Sequence, residues 1–199
     1  MASSPLFYLT RSMSAILVFA LLLLEGTGNT MVAAAGQGQC TPACIIPVCK
    51  TVGGTFFDVQ FCEGALGSDG RSANAGMDYR AYAVIAADLL AANATKTAAK
   101  IDGLLRAAAG SRDDATTTRS LRSCQALYSG IVQRQASCKS AITGKRDAEA
   151  VSSLEKSASA ANECEDGFGK SSVSVASPLT AEDKNAFRLA KLTVALING

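Results

Sequence analysis

The sequence predicts an all-α protein: an up-down-up-down four-helix bundle with a small disulfide-closed hairpin ahead of it. Three observations predict this. Apolar residues between Tyr82 and Leu196 recur at three- and four-residue steps in four separate blocks. Short segments rich in Gly, Ser and charged residues divide those blocks, as helix–turn–helix connections require. Seven cysteines follow a segment that reads as a secretory leader, so the chain is expected to fold where disulfides persist.

The leader comes first. Arg11 precedes an apolar run from Ala15 to Leu24 (AILVFALLLL), about as long as a signal-peptide core and too short to span a bilayer. Ala33-Ala34-Ala35 offers a small-residue cleavage site. Residues 1–35 are therefore expected to be a cleaved signal peptide, and 36–199 one domain with its own core. No other segment is long and apolar enough to be a membrane helix. Cleavage removes one Arg and one Glu and leaves the net charge at +2. That balance, with no block of like charge, gives no reason to expect nucleic acid.

The hairpin spans about residues 45–70. Gly53-Gly54 breaks whatever helix begins near Cys49, so Pro47 to Leu66 reads as a short hairpin laid on the bundle. Cys49 and Cys62, on either side of the break, can close it.

The bundle spans about 78–198. Its first helix carries Tyr82, Ile85, Ala86, Leu89, Thr97, Ile101 and Leu104 on one face and ends at Gly110 to Asp114. The second carries Leu121, Cys124, Tyr128, Ile131, Gln135, Cys138 and Ile142 in strict 3-4 alternation, and Thr143 to Asp147 makes the next turn. Val151, Leu154, Ala158, Ala161, Cys164 and Phe168 line the third. After a Gly/Ser-rich loop, Thr180 opens the fourth with T-A-E-D, a near capping box in which Asp183 replaces the commoner Glu. Ala186, Leu189, Ala190, Thr193 and Leu196 form its inner face. The many alanines allow close helix approach.

Composition excludes several activities. The chain has no His. The usual serine and cysteine hydrolases need an imidazole base, and most zinc sites use imidazole. The cysteines form no C-x-x-C pair, and no spacing singles out a pair of carboxylates. No cofactor and no metal are expected, and the chain reads as a binding protein and not an enzyme. Lipid-transfer proteins are also small, helical and cysteine-rich, but adjacent Cys-Cys and C-x-C are both missing here.

Helix geometry limits the disulfides. Cys124 and Cys138 lie about 21 Å apart along one helix, whereas bridged Cα atoms lie within roughly 7 Å. Cys124 therefore needs a partner on another helix. Cys164, near the end of the next antiparallel helix, should lie beside it. Cys138 sits on the core stripe, where it reads as a buried free thiol or an intermolecular link. Cys40 and Cys44 bond each other or tether the N-terminal arm.

With these residues in place, the chain resembles the plant invertase and pectin methylesterase inhibitor family. The matching features are Cys49 followed by Phe61-Cys62 and Leu66, Leu121-x-x-Cys124-x-x-x-Tyr128, and Cys164-Glu165-Asp166-Gly167-Phe168. The last helix adds Asn185 and an apolar C-terminal face. The resemblance covers roughly residues 45–198 and is greatest to a branch of invertase-inhibitor-like proteins that includes a plane-tree pollen allergen. It implies a four-helix bundle with an N-terminal helical hairpin, one disulfide in the hairpin and one between the second and third bundle helices. It also implies one-to-one inhibition, by a monomer, of a secreted enzyme acting on pectin or sucrose, in the apoplast or the vacuole.

The resemblance further points to a contact loop. Invertase inhibitors of the family insert a Pro-Lys-Phe tripeptide, placed shortly before the last family cysteine, into the sucrose cleft. The same position here holds Asp147-Ala148-Glu149, preceded by Lys145-Arg146. A glycosidase cleft holds paired carboxylates, so Asp and Glu add repulsion where the family places lysine, although Lys145 and Arg146 can supply positive charge nearby. The simpler reading of the two acids is structural, with Asp147 as helix cap and Glu149 at the positive helix end. The target expected from this departure is pectin methylesterase ahead of acid invertase. A non-inhibitory, allergen-like binding protein on the same scaffold is the alternative of another class. Asn93-Ala94-Thr95 is an N-glycosylation sequon, yet Asn93 shares a stripe with Ala86, Leu89 and Thr97, which makes a groove-lining amide the competing reading.

Overall fold

The structure, a computed structural model, describes residues 42–108, 115–169 and 176–199. Among them the protein is helical: α1 (Pro42–Val52), α2 (Val59–Gly67), α3 (Tyr79–Ala108), α4 (Ala115–Thr143), α5 (Asp147–Gly169) and α6 (Thr180–Asn198), with a 3-10 turn at Gly70–Asn74 between α2 and α3. The expected signal peptide, the Gly110 to Asp114 breaker and the middle of the Gly/Ser-rich loop lie outside the described residues, as does Cys40.

The N-terminal hairpin is a pair of helices. Ile45, Val48, Cys49 and Val52 put one buried stripe on α1, at the spacing an amphipathic helix needs. Pro47 sits inside α1 on the opposite, exposed face, where loss of one backbone hydrogen bond is tolerated in so short a helix. The Gly53 amide closes α1 on the Cys49 carbonyl at 2.9 Å. A Cβ there would stand 3.0 Å from that carbonyl and 3.3 Å from Val59, so close approach explains the glycine. Asp58 caps α2, accepting from the Phe61 amide at 2.7 Å. Cys49 and Cys62 are bridged across the pair, with Cα atoms 5.6 Å apart.

The four long helices pack as sequence neighbours, α3 on α4, α4 on α5 and α5 on α6, and α6 returns to α3. This is the up-down-up-down order. Its core is built from Tyr82, Leu90, Ile101, Leu121, Tyr128, Ile131, Ile142, Leu154, Phe168 and Leu192, with buried alanines between the large side chains. Every residue of the α4 stripe from Leu121 to Ile142 is buried. The α3 stripe drifts. Leu89 and Leu104 are half-buried, and Leu90 takes the core position. An α-helix gains about 20° per heptad on a strict 3.5-residue repeat, so one line of residues cannot face the core over 30 residues. On α5, Val151 is likewise half-buried beside a buried Ala150.

The capping box expected at Thr180 does not form. Thr180 opens α6, but Leu179 holds the cap position with no side-chain bond to the helix. The Thr180 hydroxyl donates instead to Glu165 of α5 at 2.7 Å. Asp183 turns inward and is buried. A second disulfide, Cys124–Cys164, ties α4 to α5 with Cα atoms 4.8 Å apart. Cys138 is free and buried, and burial holds its thiol above the ordinary range. Cys44 is disulfide-bonded.

Candidate partner-binding surface

The α4–α5 turn displays the five residues 145–149 together. Its backbone closes α4 with the Lys145 amide on the Ile142 carbonyl at 3.2 Å and the Arg146 amide on the Ala141 carbonyl at 2.9 Å. This is a Schellman pattern, whose pivot residue is usually glycine because it is left-handed. Here the pivot is Lys145, with φ +57°. Gly144 precedes it, and a Cβ there would press on the Ser140 carbonyl at 3.0 Å. The chain thus accepts a strained lysine at the apex of an exposed turn.

Both acids of the turn have arginine partners. Asp147 takes two hydrogen bonds from Arg80 of α3, at 2.7 and 3.1 Å. The same guanidinium donates to the Ile142 carbonyl at 2.7 Å, stapling the start of α3 to the turn. The Asp147 carboxyl is held below its usual range, first by the Arg80 hydrogen bond. The helix-cap role expected of Asp147 is therefore corrected: Asp147 is the first helical residue, and a partner 67 residues away claims its oxygens. Glu149 stands in the first turn of α5 and pairs with Arg146 at 2.8 Å. Ala148 is exposed between them. With Arg80 included, the turn carries three cations against two carboxylates, and Lys145 is the cation at its tip.

Asn93 lies elsewhere, on α3. It lines an open groove of about 470 Å³ together with Phe61 of α2 and Ala181, Glu182, Lys184, Asn185 and Arg188 of α6. Its side chain is half-buried and its Oδ1 has no hydrogen-bond partner. The hydroxyl of Thr95, the sequon's third residue, bonds the Ala91 carbonyl at 2.8 Å.

Beside this groove the hairpin grips α6 through aromatic and cationic groups that periodicity alone does not reveal. Phe56 meets Phe187 edge-to-face at 5.7 Å. Lys191 lies 4.6 Å from the Phe56 ring, and Arg188 lies 4.2 Å from the Phe61 ring. Arg188 also pairs with Asp58 at 3.0 Å. Aromatic residues flanking the Gly-Gly break were the available signal, but their partners on α6 are remote in sequence.

Among the described residues no group of His, Cys, Asp and Glu is placed to hold a metal ion, and no helix is long and apolar enough to cross a membrane. The architecture defines a class: a disulfide-stapled helical bundle whose distinctive chemistry lies on its turns and surface grooves. The chain matches the family model for plant invertase/pectin methylesterase inhibitors over residues 45–196, and it belongs to that family. Its fold is similar to the crystal structure of a pectin methylesterase inhibitor from Arabidopsis thaliana, with TM-score 0.55 and 18% sequence identity. That match covers 77% of this chain and 93% of the other. No curated protein matches the chain.

Proposed function

We propose that this protein is a secreted, monomeric inhibitor that binds a cell-wall carbohydrate-modifying enzyme, with pectin methylesterase favoured over invertase. Family membership supports the inhibitor role, and the lack of any imidazole supports binding without catalysis. The α4–α5 turn carries the choice of target. Where invertase inhibitors of the family insert Pro-Lys-Phe, this chain offers Asp147 anchored to Arg80, an exposed Ala148 and Glu149 paired with Arg146. Nothing there reproduces a lysine flanked by rigid and aromatic neighbours. The mature chain is proposed to work in the apoplast, with the vacuole as the second compartment.

Acid invertase is the second reading, and one observation favours it. Because both acids are paired, the turn repels a carboxylate-lined cleft less than two free carboxylates would, and Lys145 stands at the apex with positive φ. Titration of the oxidised Gly36–Gly199 chain against a plant pectin methylesterase and an acid invertase, at pH 5 and pH 7, distinguishes the readings. Inhibition of the esterase alone is expected. Inhibition of the invertase alone, lost in Lys145→Ala, would transfer the assignment, and no effect on either would leave a non-inhibitory binding protein.

A further inference from the structure

A buried polar chain crosses all four bundle helices near the start of α6. Thr97 of α3 lies beside Tyr128 of α4, its own hydroxyl donating to the Asn93 carbonyl at 2.9 Å. The Tyr128 hydroxyl donates to Asp183 Oδ1 at 2.6 Å. Asp183, only 2% exposed, faces Glu165 of α5, whose negative charge acts on it. Glu165 Oε1 in turn accepts from Thr180 at 2.7 Å.

Two oxygens of this chain have no donor: Asp183 Oδ2 and Glu165 Oε2, both buried. Ionised carboxylates only accept, and two of them side by side repel. A buried acceptor without a donor is also strongly disfavoured. A proton on Asp183 removes its charge from among the neighbouring acids and turns its buried oxygen from an unsatisfied acceptor into a donor. Among the described residues no cation bonds either of these oxygens. The charged or titratable groups facing Asp183 are Tyr128 from α4, Glu165 from α5 and Glu182 beside it on α6. From α3 comes Lys100, whose ammonium is engaged by Glu182 at 2.6 Å and by the Pro178 carbonyl at 2.8 Å.

We infer that Asp183 is protonated in the folded protein, and that its proton is a pH-sensitive fastener holding the start of α6 to α4 and α5. Burial above all, with Glu165 and Glu182 adding to it, pushes the Asp183 carboxyl up to about 7 against the lowering effect of Tyr128. The folded state therefore binds this proton more tightly than the unfolded chain, whose carboxyl titrates near 3.8. The stability it contributes is complete below that value, declines as pH rises and is lost once pH passes about 7. Above that the proton leaves to solvent and two like charges face each other under the first turn of α6.

The test uses the mature chain with its disulfides intact. Between pH 4.5 and pH 7.5 the melting temperature of the wild type is expected to fall on the order of 5 °C further than that of Asp183→Asn. The amide of that variant reproduces the donor and acceptor of the protonated acid at every pH. Infrared spectroscopy of the wild type at pH 6 should show the carbonyl band of a buried protonated carboxyl, titrating near pH 7. Should Asp183→Asn fail to fold, Glu165→Gln carries the same comparison, since its amide can donate to Asp183. Parallel melting curves for the wild type and the folded variant, or no protonated-carboxyl band at pH 6, would overturn the inference.

Discussion

The two ends of the bundle are fastened by opposite kinds of chemistry. At one end the α4–α5 turn and the start of α3 are joined by Arg80 and Asp147, both partly open to solvent, with Arg80 also on the carbonyl of the buried Ile142. At the other, the start of α4, the end of α5 and the start of α6 are joined by Cys124–Cys164 and the buried Tyr128–Asp183 bond, with the Ser120 hydroxyl on the Gly167 carbonyl at 2.9 Å. Exposed ion pairs are screened and exchangeable, whereas buried polar groups must all be satisfied. A turn that meets a partner can vary its charges at little cost to the fold. The covalent, buried end cannot.

The ends also respond to pH with opposite sign. The Asp147 carboxyl is held low by Arg80, so its contribution is present above the ordinary carboxylate range and is lost as pH falls through its lowered value. The Asp183 carboxyl is raised, so its contribution is lost as pH rises toward about 7. A mildly acidic medium keeps both ends fastened.

The largest expected effect breaks the covalent end. Replacing both Cys124 and Cys164 by Ala opens a link between residues 40 apart, and chain-entropy arguments put the loss at about 4 kcal/mol. Chemical denaturation of the oxidised variant and wild type checks this. A loss below about 1 kcal/mol would mean that core packing holds the end unaided.

Tyr128→Phe comes next. It removes the 2.6 Å bond and leaves Asp183 Oδ1 buried without a donor, for a loss of about 1–3 kcal/mol. Because Tyr128 lowers the Asp183 carboxyl, its removal should also move the midpoint of the protonated-carboxyl infrared band to higher pH. An unchanged midpoint would separate Tyr128 from the titration.

At the exposed end the effects shrink and one changes sign. Lys145→Gly relieves the left-handed lysine and should stabilise the protein by about 1 kcal/mol in thermal melts. If Lys145 contacts the target, the same variant binds more weakly while melting higher, a combination that a purely structural residue would not produce. Arg80→Ala should lower the melting temperature by about 2 °C or less at pH 6. Its difference from wild type should vanish as pH falls through the lowered value of the Asp147 carboxyl. A difference that persists there would assign the effect to the Ile142 carbonyl contact.

Much of the fold is readable along the chain because helix burial is periodic. The α4 residues Leu121, Cys124, Tyr128, Ile131, Gln135, Cys138 and Ile142 announce their stripe in strict alternation, and all are buried. Alternation failed for Leu89, Leu104 and Val151, where the stripe rotates around a long helix or a small neighbour takes the core position. The surface sites were less readable. Asp147 and Thr180 satisfy local capping rules, yet each bonds a side chain from another helix. A local rule competes with partners whose positions depend on how helices cross. Asn93 is the intermediate case: its stripe places it toward α6, and only the packed hairpin turns that position into a groove with Phe61.

The sequence by itself determined the helical blocks, their order, the Gly-Gly break and the family, because these depend on residue type and spacing within one stretch of chain. Tertiary structure alone decided which charges are neutral in effect and which are strained. Asp147 and Glu149 look like bare negative charge in sequence and are arginine-paired in space. Asp183 looks like a solvated helix-start acid and is a buried member of a four-helix network. The reason is physical: burial periodicity is a property of one helix, whereas the energy of a charge depends on dielectric and on partners brought from distant parts of the chain.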